Sequence, residues 1–187
     1  MTQMPTAVIG DSGPEMAALV ASRVLDVPDF PKPGIVFKDL MPLFADGAVF
    51  RAVIDGIIAH HGAESFDVVA GIEARGFVLA AAIAYATGTG VVPVRKAGKL
   101  PRASFSASYA LEYGEAVLEV HQDAFTAGHR VLVVDDVLAT GGTAAATLEL
   151  VERAGGSVSG LTVLLELSFL AGRDRLTPRD VHALWRV

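Results

Sequence analysis

One segment, from Arg130 to Ala154, restricts the possible folds of this chain more than any other. Its first part, Arg130 to Val134, is an almost continuous β-branched run, typical of a strand buried on both faces of a parallel sheet. A helix is predicted from Gly142 to Ala154, where a pair of glycines ends it. Strand, turn and helix in this order predict a crossover unit of an α/β sheet. The turn then lies at the carboxyl end of the strand, where open α/β sheets bind ligands.

The turn in this segment has the composition of an anion-binding site. Its residues are Ala139, Thr140, Gly141, Gly142 and Thr143. They offer backbone N–H groups, two hydroxyls and no bulky side chain, and the dipole of the following helix adds positive potential. Directly before the turn, Asp135 and Asp136 can accept hydrogen bonds from ribose hydroxyls or hold Mg²⁺ through water. Together these residues predict a site for a sugar phosphate.

Two common phosphate-binding motifs are excluded by the sequence. No lysine follows Gly142, so the turn is not the phosphate loop of ATP-binding proteins. The Gly88-Thr89-Gly90 triplet precedes a strand-like run and not a helix, so the dinucleotide fingerprint is missing. The alternative is an ordinary strand-turn-helix whose glycines only permit a tight bend. A tight bend needs only the glycines, so the paired acids and the two threonines of the Thr-Gly-Gly-Thr turn favour a binding site over a simple bend.

Composition narrows the class of protein. The 187 residues, 52% hydrophobic and 19% charged, fit a single globular domain over residues 1–187. The absence of cysteine excludes disulfides, thiolate catalysis and cysteine-bound zinc, and it is compatible with a reducing cytoplasm. The sequence has no signal peptide and no apolar run of membrane-spanning length, so we expect a soluble cytoplasmic protein without membrane contact. A net charge of −6 argues against nucleic acid as a general partner.

Hydrophobic periodicity and turn residues predict an alternation of helices and strands along the chain. The predicted helices are 11–25, 46–61 and 76–87, the predicted strands are 66–72, 90–94, 116–122 and 161–167, and 176–187 is an edge strand or interface segment. A polar insertion at 95–114 is longer than most connections in compact domains, which favours a lid. The five histidines show no ligand spacing, and we interpret them as structural.

Four segments, taken together, resemble a known family. Val133 to Thr143 resembles the phosphoribosyl-pyrophosphate signature of the type I phosphoribosyltransferases. Segments at 29–39, 71–77 and 94–101, followed by 108–114, resemble the adenine-specific branch of that family, in the same order. The resemblance implies a central, mainly parallel sheet flanked by helices, a small N-terminal hood at about 27–45 and a flexible lid loop at about 95–114.

The resemblance also implies an activity. The expected reaction transfers the 5-phosphoribosyl group from phosphoribosyl pyrophosphate to adenine, giving AMP and pyrophosphate in purine salvage, with Mg²⁺ as the cofactor. Members of the family are usually homodimers in which a loop of one subunit approaches the other's site. The Mg²⁺ would be bound mainly by the substrate, with Asp135 and Asp136 as ligands through water.

Cationic residues are expected to hold the leaving pyrophosphate. Arg75 falls in the segment that resembles the family's pyrophosphate loop, where the Glu73–Ala74 peptide is expected to be cis. Arg95, Lys96 and Lys99 form a basic run at the start of the predicted lid. The alternatives are a surface arginine at a helix start and a solvated loop.

Two further groups of residues complete the predicted site. On the lid, Glu112 could accept the proton lost by a purine nitrogen or stabilise a cationic ribose, or it could only order the loop through Tyr113. For the purine, the resemblance assigns backbone contacts to Val36 and Lys38 and ring packing to Phe37. Val137 and Leu138 could form the opposite wall of the purine slot, or they could be ordinary core residues after a strand.

Two rival functions stay open. One is the same fold with a 6-oxo purine, because families that select such bases often place a lysine side chain against the oxygen, and Lys38 is the candidate here. The other is a regulator that binds phosphoribosyl pyrophosphate without turnover. A regulator of nucleic acid would need a basic face or an added DNA-binding unit, which the net charge of −6 and the length of 187 residues disfavour.

Overall fold

The computed structural model describes residues 10–110 and 115–187. Within them, the helices are α1 (Pro14–Ala21), α2 (Met41–Ala45), α3 (Gly47–His61), α4 (Gly76–Thr87) and α5 (Gly142–Arg153). The strands are β1 (Leu25–Pro28), β2 (Val36–Asp39), β3 (Val68–Ile72), β4 (Gly90–Lys96), β5 (Ser104–Ala110), β6 (Glu115–His121), β7 (Arg130–Leu138), β8 (Ser157–Glu166) and β9 (Val181–Arg186). Short 3₁₀ turns lie at Ser168–Leu170 and Asp174–Leu176.

A seven-stranded sheet forms the centre, in the order β5-β6-β4-β3-β7-β8-β9. The five strands from β4 to β9 in this order pair in parallel, and β6 pairs antiparallel with both β4 and β5. All five residues of β3 are buried, as expected for a central strand covered on both faces. The predicted mainly parallel α/β sheet is confirmed, and β9 is the edge strand predicted from the tail.

Two hydrophobic clusters cover the two faces of this sheet. One contains residues of α1, α3 and α4, among them Val20, Ile57 and Ile83, and the other contains residues of α5 such as Leu150. The two clusters share one sheet, as the single predicted domain requires. Among the described residues, no helix is both long enough and apolar enough to cross a bilayer.

The N-terminal region differs from the prediction in its first helix. α1 ends at Ala21 and not at residue 25, because Leu25–Pro28 pairs with β2 in an antiparallel hairpin. Asp11 and the next residue do not cap α1, whose N-cap is Gly13 without a side-chain hydrogen bond. Instead, the Asp11 carboxylate accepts a hydrogen bond from the Ala183 N–H at 2.8 Å, which ties the N-terminal segment to β9. The hairpin and α2 occupy the region predicted as the hood.

One strand extends beyond its predicted limit, and another lies where a lid was predicted. β7 continues to Leu138, because Asp135 pairs with Val163 and the strand end pairs with Glu166 of β8. The two acids therefore lie within a strand and not after it. Residues 104–110 of the predicted lid form β5, which pairs with β6 along its whole length. The loop within 95–114 is thus shorter than predicted, while its flexibility stays a prediction.

Three of the histidines meet at the end of α3, a proximity in space that their positions in the sequence did not reveal. His60 and His61 close α3, and His182 lies in β9. Burial and the neighbouring His60 lower the pKa of His61 to about 4. Burial, with the two other imidazoles, lowers the pKa of His182 to about 3, although the Asp11 carboxylate acts in the opposite direction.

We expect these two imidazoles to make stability depend on pH between about 7 and 5. In the unfolded chain both bind protons below a pKa of roughly 6.5, whereas in the folded protein they stay neutral down to about 4 and about 3. The unfolded state therefore takes up more protons, and stability falls as the pH falls. The urea midpoint measured at pH 7.5, 6.0 and 5.0 should decrease stepwise. A His61→Gln, His182→Gln double variant should show a flatter profile, and an equally steep profile would contradict the assignment.

Candidate active site

The turn between β7 and α5 surrounds a cavity of about 70 Å³. All five predicted turn residues line it: Ala139, Thr140, Gly141, Gly142 and Thr143. The first helical hydrogen bond runs from the Ala145 N–H to the Gly141 carbonyl at 2.9 Å, so the N–H groups just before Ala145 lie outside the helical ladder. Such free N–H groups at a helix start bind anions. The structure therefore brings the predicted phosphate-binding residues together.

Backbone geometry requires glycine at the tightest point of this turn. Gly141 has a φ of 78°, in the left-handed region that side chains disfavour. A Cβ built at Gly141 would lie 2.4 Å from the carbonyl oxygen of Gly172, and a Cβ at Gly172 would lie 2.1 Å from the carbonyl oxygen of Ala139. The segment around Gly172 thus supports the turn from outside, a contact that sequence reasoning missed.

The two acids at the end of β7 lie between the turn and Arg75. Asp135 lines the turn cavity, and its Oδ1 accepts a hydrogen bond from the Asp136 N–H at 2.9 Å. Burial and the adjacent Asp136 carboxylate raise the pKa of Asp135. Burial also raises the pKa of Asp136, against the opposing effect of Arg75. Two carboxylates held close in a poorly solvated place suit a cation or hydroxyl donors, so these residues fit Mg²⁺ and ribose.

Arg75 links the acids to the N-terminal hood. Its Nε lies 2.5 Å from Asp136 Oδ2, and its guanidinium carbon lies 6.0 Å from the centre of the Phe37 ring. The Arg75 side chain keeps 40% of its surface exposed, whereas that of Asp136 keeps 6%. The Glu73–Ala74 peptide before it is cis, which confirms that prediction. The Arg75 guanidinium is therefore held beside Asp136, and part of the side chain remains accessible to solvent.

The basic run at the end of β4 converges on Glu73, a residue that the sequence did not single out. Arg95 Nε lies 3.4 Å from Glu73 Oε2, and the same oxygen accepts a hydrogen bond from the Lys96 N–H at 3.0 Å. Lys99 forms an ion pair with the other carboxylate oxygen. The pKa of Glu73 is lowered by these partners against the effect of burial. The predicted cations are thus neighbours at the carboxyl end of β3, although only Arg75 contacts the paired acids among the described residues.

A second, larger cavity of about 420 Å³ lies between the hood and Arg75. Its lining is Val27, Phe30, Phe37, Asp39, Met41 and Arg75. The rings of Phe30 and Phe37 meet edge to face at 5.2 Å. An apolar, aromatic cavity with a few polar groups is typical of a site for a flat heterocycle. Of its hood residues, only Phe37 was predicted by residue, because the others become neighbours only through the hairpin.

Strand alternation separates Phe37 from the residues on either side of it. The Lys38 Nζ donates a hydrogen bond to Asp26 at 2.7 Å and lies 5.8 Å from the centre of the Trp185 ring, so its side chain points away from the cavity. Val36 is 52% exposed and does not line the cavity. The backbone roles predicted for Val36 and Lys38 remain compatible with this arrangement. Val137 and Leu138 line the turn cavity and not the hood cavity, and their place opposite the purine stays a prediction.

Two predicted residues, Glu112 and Tyr113, lie outside the described residues. The assembled site otherwise has a continuous order of contacts. The turn cavity reaches Asp135, the Asp136 N–H contacts Asp135, Asp136 pairs with Arg75, and Arg75 lines the hood cavity. The predicted anion site, the pair of carboxylates and the apolar cavity thus follow one another near the carboxyl ends of β3 and β7.

Comparison with known proteins points to one family. Residues 43–182 match the family described as phosphoribosyl transferase domain. A protein of Salinispora tropica named adenine phosphoribosyltransferase is 80% identical over 182 residues, which cover 97% of each chain.

Solved structures give the same result. The crystal structure of adenine phosphoribosyltransferase from Thermoanaerobacter pseudethanolicus is similar, with a TM-score of 0.87 and 44% identity over 91% of this chain and 99% of that one. The adenine phosphoribosyltransferase of Saccharomyces cerevisiae, complexed with an imino-altritol bisphosphate and adenine, has a TM-score of 0.86 and 39% identity, covering 91% and 98% of the two chains.

Proposed function

The chain belongs to the adenine phosphoribosyltransferases, and we propose that its two cavities hold the two substrates of that reaction. The protein is a pentosyltransferase of purine salvage that transfers the 5-phosphoribosyl group from phosphoribosyl pyrophosphate to adenine, giving AMP and pyrophosphate. The observation that carries the proposal is the order of contacts from the turn cavity through Asp135, Asp136 and Arg75 to the hood cavity. This order matches the order phosphate, ribose and base in the nucleotide product.

The turn at 139–143 is the proposed site of the 5′-phosphate. The N–H groups at the start of α5 and the two threonine hydroxyls donate hydrogen bonds to the phosphate oxygens, and the helix dipole adds favourable potential. Asp135 and Asp136 accept hydrogen bonds from the ribose hydroxyls. Burial raises the pKa of both carboxyl groups and thus favours their neutral form. Hydrogen bonds from the ribose hydroxyls and a nearby cation would act in the opposite direction and favour the charged form.

Mg²⁺ is the proposed cofactor, and Asp135 and Asp136 would hold it through water. When bound, it neutralises charge on the phosphate oxygens of the substrate. The remaining negative charge on the leaving pyrophosphate would be stabilised by Arg75, Arg95, Lys96 and Lys99. Glu73 holds the cationic groups of Arg95 and Lys99 at one place and fixes the backbone of Lys96, so two cations are already together where the pyrophosphate is proposed to bind.

The reaction needs no nucleophilic side chain. A purine nitrogen bonds to the anomeric carbon while the bond from that carbon to the pyrophosphate oxygen breaks, and the purine nitrogen loses its proton. Positive charge develops on the ribose in the transition state, and the buried carboxylates beside it stabilise that charge. Glu112 is the proposed proton acceptor, and closure of the 95–114 lid, with Tyr113, would exclude water that would otherwise hydrolyse the sugar.

Adenine is proposed to occupy the hood cavity. The Phe37 ring packs against the purine, and Phe30 and Met41 complete the apolar lining. Backbone groups of Val36 and Lys38 are proposed to read the base edge. The Lys38 ammonium, bound to Asp26, does not reach the cavity, which removes the lysine that a 6-oxo purine would need there.

The test is a product assay with phosphoribosyl pyrophosphate, Mg²⁺ and, separately, adenine, hypoxanthine, guanine and xanthine. We expect AMP and pyrophosphate in equal amounts from adenine alone. Turnover with a 6-oxo purine only would refute the base assignment, and tight binding without turnover would favour a regulator. A Lys38→Ala variant serves as the control for base choice and should keep the preference for adenine, because its side chain contacts Asp26.

We further propose that two copies of the chain form a homodimer through α4. This helix has no charged residue, and its inner face packs on the sheet. Its outer face carries Val78 and Tyr85, which are 45% and 92% exposed and are spaced so that they lie on one side of the helix. Val91 of β4 is also exposed, at 42%. An uncharged, exposed face of this kind is typical of a protein interface. A second copy fits best because the family resemblance implies a dimer.

We expect a Val78→Asp, Tyr85→Asp variant to sediment as a monomer of 19.5 kDa, whereas the wild type sediments at twice that mass. Two carboxylates facing their copies across a symmetric interface would be desolvated and would repel each other. Phe169→Asp is the matched control, since Phe169 is also exposed, at 74%, but lies outside α4. A wild-type monomer, or a dimer in both variants, would contradict the assignment of the interface.

The proposed setting of the reaction is the cytoplasm, with small molecules as the substrates. The lack of cysteine in the chain is compatible with a reducing compartment. Separating the soluble and membrane fractions of source cells and assaying both for AMP formation would test this location.

A further inference from the structure

The three histidines beneath α3 form a cluster that the proposed reaction does not use. One ring nitrogen from each of His60, His61 and His182 lies within 4.8 Å of the others. The ring of His60 stacks on that of His182, with centres 3.6 Å apart and planes 4° from parallel. The ring of His61 stands nearly perpendicular to both. His182 is far in sequence from the adjacent His60 and His61, and it meets them because the end of α3 packs over β8 and β9.

Hydroxyl groups hold the two less exposed rings in place. The His182 Nε2 shares a hydrogen bond of 2.7 Å with the Ser12 hydroxyl. Thr162, buried in β8, places its hydroxyl between His61 Nε2 and His182 Nδ1. A hydrogen bond at one ring nitrogen usually orients an imidazole whose other nitrogen binds a metal. His61 has this arrangement, whereas in His182 both ring nitrogens are hydrogen-bonded, so an ion must replace one of the two hydroxyls there.

We propose that His60, His61 and His182 form a binding site for a divalent transition-metal ion of the zinc type. Three imidazoles and no thiolate suit Zn²⁺, Co²⁺ or Ni²⁺ better than Mg²⁺, which prefers oxygen ligands. The fourth position would be taken by water or a carboxylate, and the acids whose charges act on the cluster are Asp11 and Asp180.

Binding requires a modest rearrangement. Tetrahedral ligands at about 2.0–2.1 Å from zinc lie about 3.3 Å from one another, so nitrogens that are now within 4.8 Å must approach. His60 must leave its stack, because an ion lies near the plane of each ring that binds it. His60 is exposed in the last turn of α3, so its ring can leave the stack toward solvent without displacing core residues. The ion would then tie α3 to β9, which would stabilise the folded state.

The test is calorimetric titration of untagged, metal-free protein with Zn²⁺ at pH 7.5. Excess Mg²⁺ is present because it occupies carboxylate sites and does not compete for imidazoles. We expect one Zn²⁺ per chain and a rise in melting temperature. His60→Ala should weaken binding by at least ~10-fold with little effect on folding, since this side chain is exposed. His129→Ala, a histidine outside the cluster, is the matched control and should bind as the wild type does.

Co²⁺ provides a second readout. Its visible absorption is strong in a tetrahedral site and weak in an octahedral one, and we expect the strong form in the wild type and its loss in His61→Gln. Binding of equal strength in wild type and His60→Ala, or no binding up to ~1 mM, a value far above structural zinc affinities, would overturn the proposal. Turnover of adenine should be the same in His60→Ala as in the wild type, because the cluster lies outside both substrate cavities.

Discussion

Replacing Asp135 and Asp136 together with asparagine is expected to lower kcat/KM for phosphoribosyl pyrophosphate by roughly 10³-fold, the scale of losing preorganised transition-state electrostatics. Asparagine keeps the shape of each side chain but removes both negative charges, so the ribose cation and Mg²⁺ lose their buried counter-charges. The loss should appear mainly in kcat, because the phosphate turn remains intact.

Folding should survive this change. Burial raises the pKa of both acids, and the Asp136 carboxylate raises that of Asp135 further, so neutral amides remove a cost of burying charge in the folded state. The unpaired Arg75 is partly exposed and can be solvated. Asp123→Asn, which removes an acid from an exposed ion pair with Arg102, is the control and should leave activity unchanged. Activity of the double variant within ~3-fold of wild type, well below the expected electrostatic loss, would contradict the role of the acids.

Gly141→Ala is expected to lower kcat/KM for phosphoribosyl pyrophosphate by roughly 10²-fold, since displacement of positioned groups by about 1 Å has effects of that size. The new Cβ would lie 2.4 Å from the Gly172 carbonyl oxygen, so the turn must move. The N–H groups that bind the 5′-phosphate move with it. Steady-state kinetics with varied phosphoribosyl pyrophosphate would show the loss as a raised KM.

Gly88→Ala separates this steric effect from backbone strain. Gly88 also has a positive φ, of 72°, but a Cβ there meets nothing within 4 Å. The variant should lose about 1 kcal/mol of stability from its left-handed backbone and keep its affinity for substrate. If both alanine variants retain wild-type kinetics, the turn is not the phosphate site. If both lose activity equally, backbone strain explains the effect.

The grouping of the turn residues 139–143 around one cavity could be predicted because its determinants are local. Strand, acids, turn and helix follow one another between Arg130 and Arg153, so spacing and composition alone place the hydroxyls and N–H groups at a helix start. The end of β7 was less predictable. Asp135 and Asp136 continue the strand only because β8 offers partners in register, and no local signal contains that information.

The hood cavity and the cation cluster depend on long-range contacts. Phe30 and Met41 line the cavity because the β1–β2 hairpin and α2 fold over the sheet, and their types alone suit an ordinary core. Glu73 gathers Arg95 and Lys99 because β3 and β4 are neighbours and end at the same edge. Glu73 lies in the predicted pyrophosphate loop, and the sequence gives no sign that residues at the end of β4 contact it.

The histidine cluster shows the same limit more strongly. A pair of histidines at a helix end has no partner at ligand spacing, and His182 reaches it through the order of the sheet, in which β8 and β9 are neighbours. Similarly, the predicted first helix was too long because residues 25–28 have a hairpin partner that the local pattern does not reveal. In each case the order and register of strands decided the outcome.

The most direct test of the central claim, that the two cavities hold the two substrates of adenine transfer, is a crystal structure with adenine, Mg²⁺ and an unreactive analogue of phosphoribosyl pyrophosphate. We predict the 5′-phosphate within hydrogen-bond distance of the N–H groups at 141–143, the ribose hydroxyls at Asp135 and Asp136, and adenine against Phe37 in the hood cavity. Adenine bound elsewhere, or a phosphate away from the turn at 139–143, would contradict the account.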